Sequence, residues 1–237
     1  MRIERANDYD DMSRRAALDV LGEVRRKPGL LLGVATGDSP TGTYERLARA
    51  RVKAPGLFGG IRVLALDEWI GLAPRHPVAC ETYVRDRILA PLGIPSRQFQ
   101  GFRSRARNRE AECRRVAHWL KRRGPMDLCI LGLGRNGHLL MNEPAEGFEP
   151  RAHVARLAPS TRQHPTLKAA GVSPRFGYTL GLGDVLQSKR ILLLVSGRHK
   201  AAPLRRMLEG RVTTRCPASF LWLHGDVTVY CDRAASR

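Results

Sequence analysis

Short apolar runs, each stopped by glycine or a polar loop and most followed by helical periodicity, constrain this chain more than any other feature. They lie at residues 30–35, 61–66, 128–133, 178–182, 190–195 and 227–231. Runs of this length, apolar throughout, read as strands buried on both faces, which is the pattern of parallel sheets. Patterns with a period near 3.6 residues occupy 10–26, 40–51, 79–89, 107–123 and 200–208. The alternation predicts an α/β fold, a mostly parallel, Rossmann-like sheet with helices on both faces. With 43% hydrophobic residues, the 237-residue chain has ample apolar material for one such domain, spanning 1–237. The stretch 144–176 is too long for a plain connection and predicts a lid or a small helix.

Open sheets of this kind bind ligands beyond the carboxyl ends of their strands. After the run at 128–133 come Gly134-Arg135-Asn136-Gly137-His138 and then Glu143. A histidine with a carboxylate close by can move protons near neutral pH. Alone, it reads as readily as a loop group bonded to backbone. After the run at 30–35 come Thr36-Gly37-Asp38-Ser39-Pro40-Thr41-Gly42-Thr43. These enter a helix with Ser39 as the expected N-cap and Pro40 at the first helical position. Glycines and hydroxyls at a helix N-terminus make an anion site. The spacing matches neither nucleotide-loop pattern, so no nucleotide is implied. Asp38 would repel a phosphate there and is expected to face away or to cap. The run at 61–66 delivers Asp67 and Glu68. Strand neighbours point to opposite faces, so one of the two should face a cleft, as a base, a metal ligand or a cap. No ligand cluster with usable spacing accompanies them, and no metal is expected.

In order and spacing, the motifs Thr36-Gly37-Asp38-Ser39-Pro40, Leu66-Asp67-Glu68-Trp69-Ile70-Gly71 and Gly134-Arg135-Asn136-Gly137-His138, with Asn142-Glu143-Pro144, resemble the glucosamine-6-phosphate deaminase/isomerase family. The resemblance extends through Tyr178–Gly183, Leu194–Lys200 and Pro217–His224, covering roughly residues 30 to 231. Two features look closest to the galactosamine-6-phosphate isomerase/deaminase branch. One is Asn136, where the glucosamine enzymes carry Asp. The other is the ending Ala218-Ser-Phe-Leu-Trp-Leu-His224. The resemblance implies that His138 opens the sugar ring, with Glu143 polarising it and Asn136 holding its orientation. It implies Asp67 as the base that moves a proton between C2 and C1. It also implies a phosphate site made of Gly37, Ser39, Thr41, Thr43 and Lys200. The implied reaction is isomerisation with deamination of an amino sugar 6-phosphate, without a metal or organic cofactor. Galactosamine 6-phosphate is favoured, giving tagatose 6-phosphate and ammonia; the alternative is glucosamine 6-phosphate giving fructose 6-phosphate. The 6-phosphogluconolactonases share the fold and a similar Gly-His segment. They typically continue into a Leu-Phe-Pro-Gly turn, where this chain has Met141-Asn142-Glu143-Pro144. A non-catalytic sugar-phosphate sensor is a further alternative, but such regulators carry a DNA-binding domain for which one fold across 237 residues leaves no room.

The formal charge of +19 raises the question of nucleic acid. The basic residues are overwhelmingly arginine, spread along the chain and densest between Gly101 and Arg123. Phe102 and Trp119 there stand too far apart for a stacking platform, so a solvated basic surface is expected and no specific nucleic-acid partner. Such a surface also draws anionic substrates. No apolar run is long enough for a membrane and no apolar leader opens the chain. Five scattered cysteines without a C-x-x-C pair predict reduced thiols in a cytoplasm. Whether copies form a homo-oligomer is left open.

Overall fold

The structure, a computed structural model, describes residues 1–237. Seven strands form one parallel sheet: β1 (Arg2–Ala6), β2 (Leu31–Val34), β3 (Arg62–Ala65), β5 (Phe99–Gln100), β6 (Leu128–Gly132), β9 (Ile191–Val195) and β10 (Val227–Asp232). Their order is β1-β10-β9-β6-β2-β3-β5. Alternate residues of the central strands feed two cores of similar size, one on each face. Leu31, Leu64, Cys129, Leu131 and Leu193 enter one, of 29 buried residues. Leu32, Val63, Leu128, Ile130 and Leu192 enter the other, of 26.

Helices close both faces, as expected. Asp8 starts α1 (Tyr9–Arg26) by accepting from the Asp11 N–H at 2.8 Å. Its buried stripe of Met12, Ala16, Val20 and Val24 recurs every four residues and packs on the second core with α2 (Asp38–Lys53). Burying a Val or Met of that stripe is worth about 1.5–3 kcal/mol. On the opposite face lie α5 (Arg109–Arg123), through Val116 and Leu120, and α9 (Ala201–Leu208), through Leu204 and Met207.

The topology reverses between β2 and β6. From β2 the chain moves outward through β3 to the edge strand β5, then returns to place β6 on the other side of β2. The loops that follow β2 and β6 therefore diverge and leave a crevice at their carboxyl ends. Residues 35–37, which run into the N-terminus of α2, and residues 133–138 are those two loops.

A second sheet stands over the crevice. Strands β4 (Asp67–Trp69), β7 (His153–Arg156) and β8 (Phe176–Thr179) pair antiparallel in the order β4-β8-β7. It joins parts of the sequence that the apolar pattern keeps apart. Asp67 faces Thr179 across the β4–β8 ladder. The Thr179 hydroxyl in turn accepts from the Met141 N–H at 3.3 Å and from the Asn142 amide at 3.4 Å. Asn142, 2% exposed, also donates to the Leu180 carbonyl at 2.9 Å. One strand thus fixes both Asp67 and the loop that bears His138.

Several expectations need correction. The helix after β2 starts at Asp38, with Gly37 as its N-cap (φ 106°), so Ser39 is not the cap and Pro40 is not the first helical residue. Pro40 still lies in the first turn, where its missing N–H breaks no helical bond. The helix expected over 79–89 runs as α3 (Cys80–Val84), a π turn (Arg85–Leu89) and α4 (Ala90–Leu92), ending on Gly93 at φ 68°. The strand expected over 178–182 is β8, which ends at Thr179, and α8 (Leu182–Leu186) follows. The long stretch 144–176 contains β7 and two short helices, α6 (Pro159–Arg162) and α7 (Pro165–Ala169). No helix is long and apolar enough to cross a membrane.

Candidate active site

The loop after β6 makes a tight turn. Gly137 takes φ 89°, and the Gly134 N–H donates to the His138 carbonyl at 2.9 Å. This turn folds the imidazole of His138 over Gly134, where an added Cβ would lie 2.3 Å from the ring. Only glycine leaves that space. Gly134→Ala is therefore expected to displace the ring and to lower turnover by at least tenfold, while Gly147→Ala, with nothing within 4 Å, serves as the silent control. Equal activity of the two variants would show that the ring position does not matter.

Around His138 the groups form a directed relay. Its Nδ1 lies 3.3 Å from Glu143 Oε2, which also accepts from the Asn136 amide at 2.7 Å. The other Glu143 oxygen accepts from the Ala158 N–H at 3.3 Å. Burial alone would push the Glu143 carboxyl up, but these donors, His138 foremost, hold it down at about 2. Glu143 is an ionised acceptor that orients the ring with Nδ1–H toward itself, leaving Nε2 for chemistry. Asn136 does not touch the imidazole. It braces Glu143 and takes the His138 backbone N–H at 3.2 Å. The role of holding the ring's orientation thus passes through Glu143, and Arg206 of α9 fixes the Asn136 carbonyl.

Asp67 and Glu68 divide as strand geometry requires. Glu68, 1% exposed, accepts from the backbone N–H groups of Trp69, Cys80 and Glu81 at 2.7, 3.0 and 2.7 Å. It anchors the start of α3, and burial lifts its carboxyl to about 7 against those donors. Asp67 turns the other way, into a cavity of about 260 Å³ that His138 also borders. Its Oδ1 has no hydrogen-bond partner, and the residue is 9% exposed. Desolvation raises its carboxyl to about 6, with the Cys80 thiol and His138 pulling the other way. A carboxylate with one oxygen left without a donor and titrating near neutrality has the properties of a general base.

The far end of this cavity is cationic. It is bordered by Gly37 and Ser39 at the N-terminus of α2, by Ser196 after β9, and by Lys200 before α9. The Ser39 and Ser196 hydroxyls lie 3.3 Å apart. Lys200 is held by the Leu133 carbonyl at 2.6 Å, and burial, then Arg135, brings its ammonium down to about 8. Helix N–H groups, two hydroxyls and an ammonium converge here, which suits a phosphate.

Two of the expected phosphate residues lie elsewhere. The Thr43 hydroxyl is fully buried inside α2, without a partner, and does not border the cavity. Thr41 faces an adjoining cavity of about 570 Å³, where its hydroxyl bonds the Gly37 carbonyl at 2.8 Å and the Tyr83 hydroxyl at 2.6 Å. Helical periodicity carries positions 41 and 43 around the helix and away from its end. Asp38 neither caps nor turns away. It borders both cavities and raises the proton affinity of Lys200. Sequence reasoning also missed Arg135, Thr161, His164, Ser196 and His199 as lining residues. Arg135, Ser196 and His199 stand inside motifs already recognised, which was the available signal. No group of three or more His, Cys, Asp or Glu stands together as a metal site.

The family model described as glucosamine-6-phosphate isomerases/6-phosphogluconolactonase matches residues 7–230. An Escherichia coli (strain K12) protein whose name, deaminase AgaI, gives no substrate is 40% identical over 224 residues, 94% of this chain and 89% of that one. Glucosamine-6-phosphate deaminase 1 of Bacillus subtilis (strain 168) is 38% identical over 242 residues, covering 100% of this chain and 98% of its own. A solved structure described as a monomeric glucosamine-6-phosphate deaminase matches with a TM-score of 0.95 at 37% identity, over 100% of this chain and 99% of that one. The 6-phosphogluconolactonase of Trypanosoma brucei matches with a TM-score of 0.79 at 17% identity, over 99% of this chain and 97% of that one, a likeness of fold alone.

Proposed function

The chain belongs to the glucosamine-6-phosphate isomerase/6-phosphogluconolactonase family, and from that premise we propose that it is an amino sugar 6-phosphate deaminase/isomerase that prefers galactosamine 6-phosphate. The observation that carries the reading is one cavity with an unpartnered carboxylate, a carboxylate-oriented histidine and a cationic end.

The phosphate docks at Lys200, Ser39 and the Gly37 end of α2. His138, its Nδ1–H held by Glu143, uses Nε2 to shuttle the proton between the ring oxygen and O1 as the hemiacetal opens. Asp67 then takes the proton from C2 and returns one at C1. Removal of the C2 proton gives an enolamine, its return at C1 gives a C2 iminium, and the iminium adds water and loses ammonia, leaving a ketose 6-phosphate. These residues supply the ring-opening and the C2-to-C1 proton transfers, and the proposed route calls on no metal or organic cofactor. Residues 144–176, whose Thr161 and His164 border the cavity, act as a lid within a single domain, 1–237. Five free, buried cysteines favour a reducing cytoplasm.

Galactosamine is preferred on Asn136 and the Ala218–His224 ending. The relatives named as glucosamine-6-phosphate deaminases favour the second reading, glucosamine 6-phosphate giving fructose 6-phosphate. The two differ only at C4, so kcat/KM for ammonia release from each sugar decides between them. A ratio above one for the galacto epimer is expected; a ratio below one makes the second reading correct.

His138→Gln separates ring opening from enolisation. Isotope exchange at C1 of the ketose product begins from open-chain sugar and is expected to persist at a far larger fraction of wild type than ammonia release from the cyclic amino sugar. Equal loss of both would assign His138 to enolisation.

A further inference from the structure

We propose that Arg135, His164 and His199 complete the phosphate clamp around Lys200, and that the two imidazoles take up protons as a dianion enters. The inference rests on the sugar-phosphate reading above. Three separate elements bring these groups to the same end of one cavity: the loop after β6 carries Arg135, the residue before α7 is His164, and the turn before α9 carries His199 beside Lys200.

The charges facing each imidazole are known. His164 meets Asp38, Lys200, Arg135 and His138; His199 meets Lys200, Arg135, Asp38 and Asp232. Desolvation of each ring at the cavity wall first, and the two cations next, hold both imidazoles below their ordinary range, so they stand neutral at neutral pH without a ligand. Arg135 and Lys200 are then offset by the carboxylates of Asp38 and Asp67, and the cavity is close to electroneutral. A phosphate brings almost two negative charges. It reverses the field that suppressed protonation, and the neutral rings become its nearest unspent source of positive charge.

Both rings are free to respond. His199 makes no hydrogen bond within the chain and lies against Gly197, where an added Cβ would be 3.0 Å from the ring. His164 Nδ1 accepts only the Thr166 N–H at 3.4 Å, too long a bond to resist protonation. Its Nε2 has no partner within the chain and is left to donate.

Inorganic sulfate tests this directly, because it stays a dianion throughout the imidazole range and takes no proton itself. Calorimetric titration in an Asp67→Asn background removes the cavity-lining carboxyl that also titrates there; Glu68 titrates in the same window but lies outside the cavity and is common to every variant. At constant ionic strength, affinity should tighten about tenfold between about pH 7.5 and about pH 5.5, with buffer-dependent heats that report net proton uptake. His199→Gln, at an exposed position, should lose about half of that tightening on a logarithmic scale, and the double variant with His164→Gln nearly all of it. Arg135→Gln should weaken binding at every pH and, because Arg135 also suppresses both imidazoles, shift the tightening toward higher pH without abolishing it. A flat pH profile, or an unchanged slope in the double variant, overturns the proposal. No turnover is involved, so failure to release ammonia would sink the functional reading alone, and a flat sulfate profile this inference alone.

Discussion

Asp67→Asn should lower ammonia release by about 10²–10⁴-fold, the range that a positioned general base contributes, with substrate affinity nearly unchanged. Asp67 reaches the cavity from β4, and its Oδ1 is spared every donor that the neighbouring Glu68 collects. The same variant makes a second, independent statement about stability. The folded-state carboxyl titrates at about 6 against 3.8 for a free aspartate, so the folded chain binds more protons between those values. Stability attributable to Asp67 is therefore highest in acid and falls as pH rises through about 6. Asparagine removes that cost, and the melting temperature of Asp67→Asn above pH 7 should equal or exceed that of wild type. In wild type, kcat/KM should rise with pH through an acid limb near 6. Near-wild-type turnover would take Asp67 out of the mechanism. A lower melting temperature would mean that its carboxylate stabilises the fold.

The second large effect is expected at Lys200. Removing a charge-assisted hydrogen bond costs about 1.5–3 kcal/mol, or roughly 10- to 150-fold in affinity. Lys200→Ala should therefore raise KM by that factor and change kcat far less, since the phosphate is held alike in the ground and transition states. The ammonium also holds the Leu133 carbonyl at the mouth of the His138 loop, and a several-fold fall in kcat is compatible with losing that support. An unchanged KM would place the phosphate elsewhere.

How much of this could be read in advance follows the range of the forces involved. The central strands and the helices between them announce themselves because burial on both faces demands unbroken apolar runs. The His138 loop was legible for a similar reason: Asn136, His138 and Glu143 lie within eight residues and need only one turn to meet. The second sheet was not legible. Its strand β4 is three residues long and begins with two carboxylates, and it exists because β8 pairs with it across more than a hundred residues. Edge strand β1 has three charged residues among its five, and β5 has only two residues, so neither carries a run. Misplacing the first residue of α2 by two shifted the N-cap from Gly37 to Ser39. Thr43 fails to reach the cavity for another reason: it came with the motif, although the helix expected from residue 40 already carries its side chain around and away from the N-terminal end. Arg135, His164 and His199 escaped because only the folded chain brings a β6 loop, a short helix and a 3₁₀ turn to one end of a cavity.

The claim underlying the account is that this cavity deaminates an amino sugar phosphate. The most direct measurement sets purified protein against three substrates, galactosamine 6-phosphate, glucosamine 6-phosphate and 6-phosphogluconolactone, and follows ammonia, ketose 6-phosphate and acid release together. The account predicts one ammonia per ketose 6-phosphate from at least one hexosamine, abolished in Asp67→Asn, and no lactone hydrolysis above background. Acid release from the lactone without ammonia from either hexosamine would contradict it.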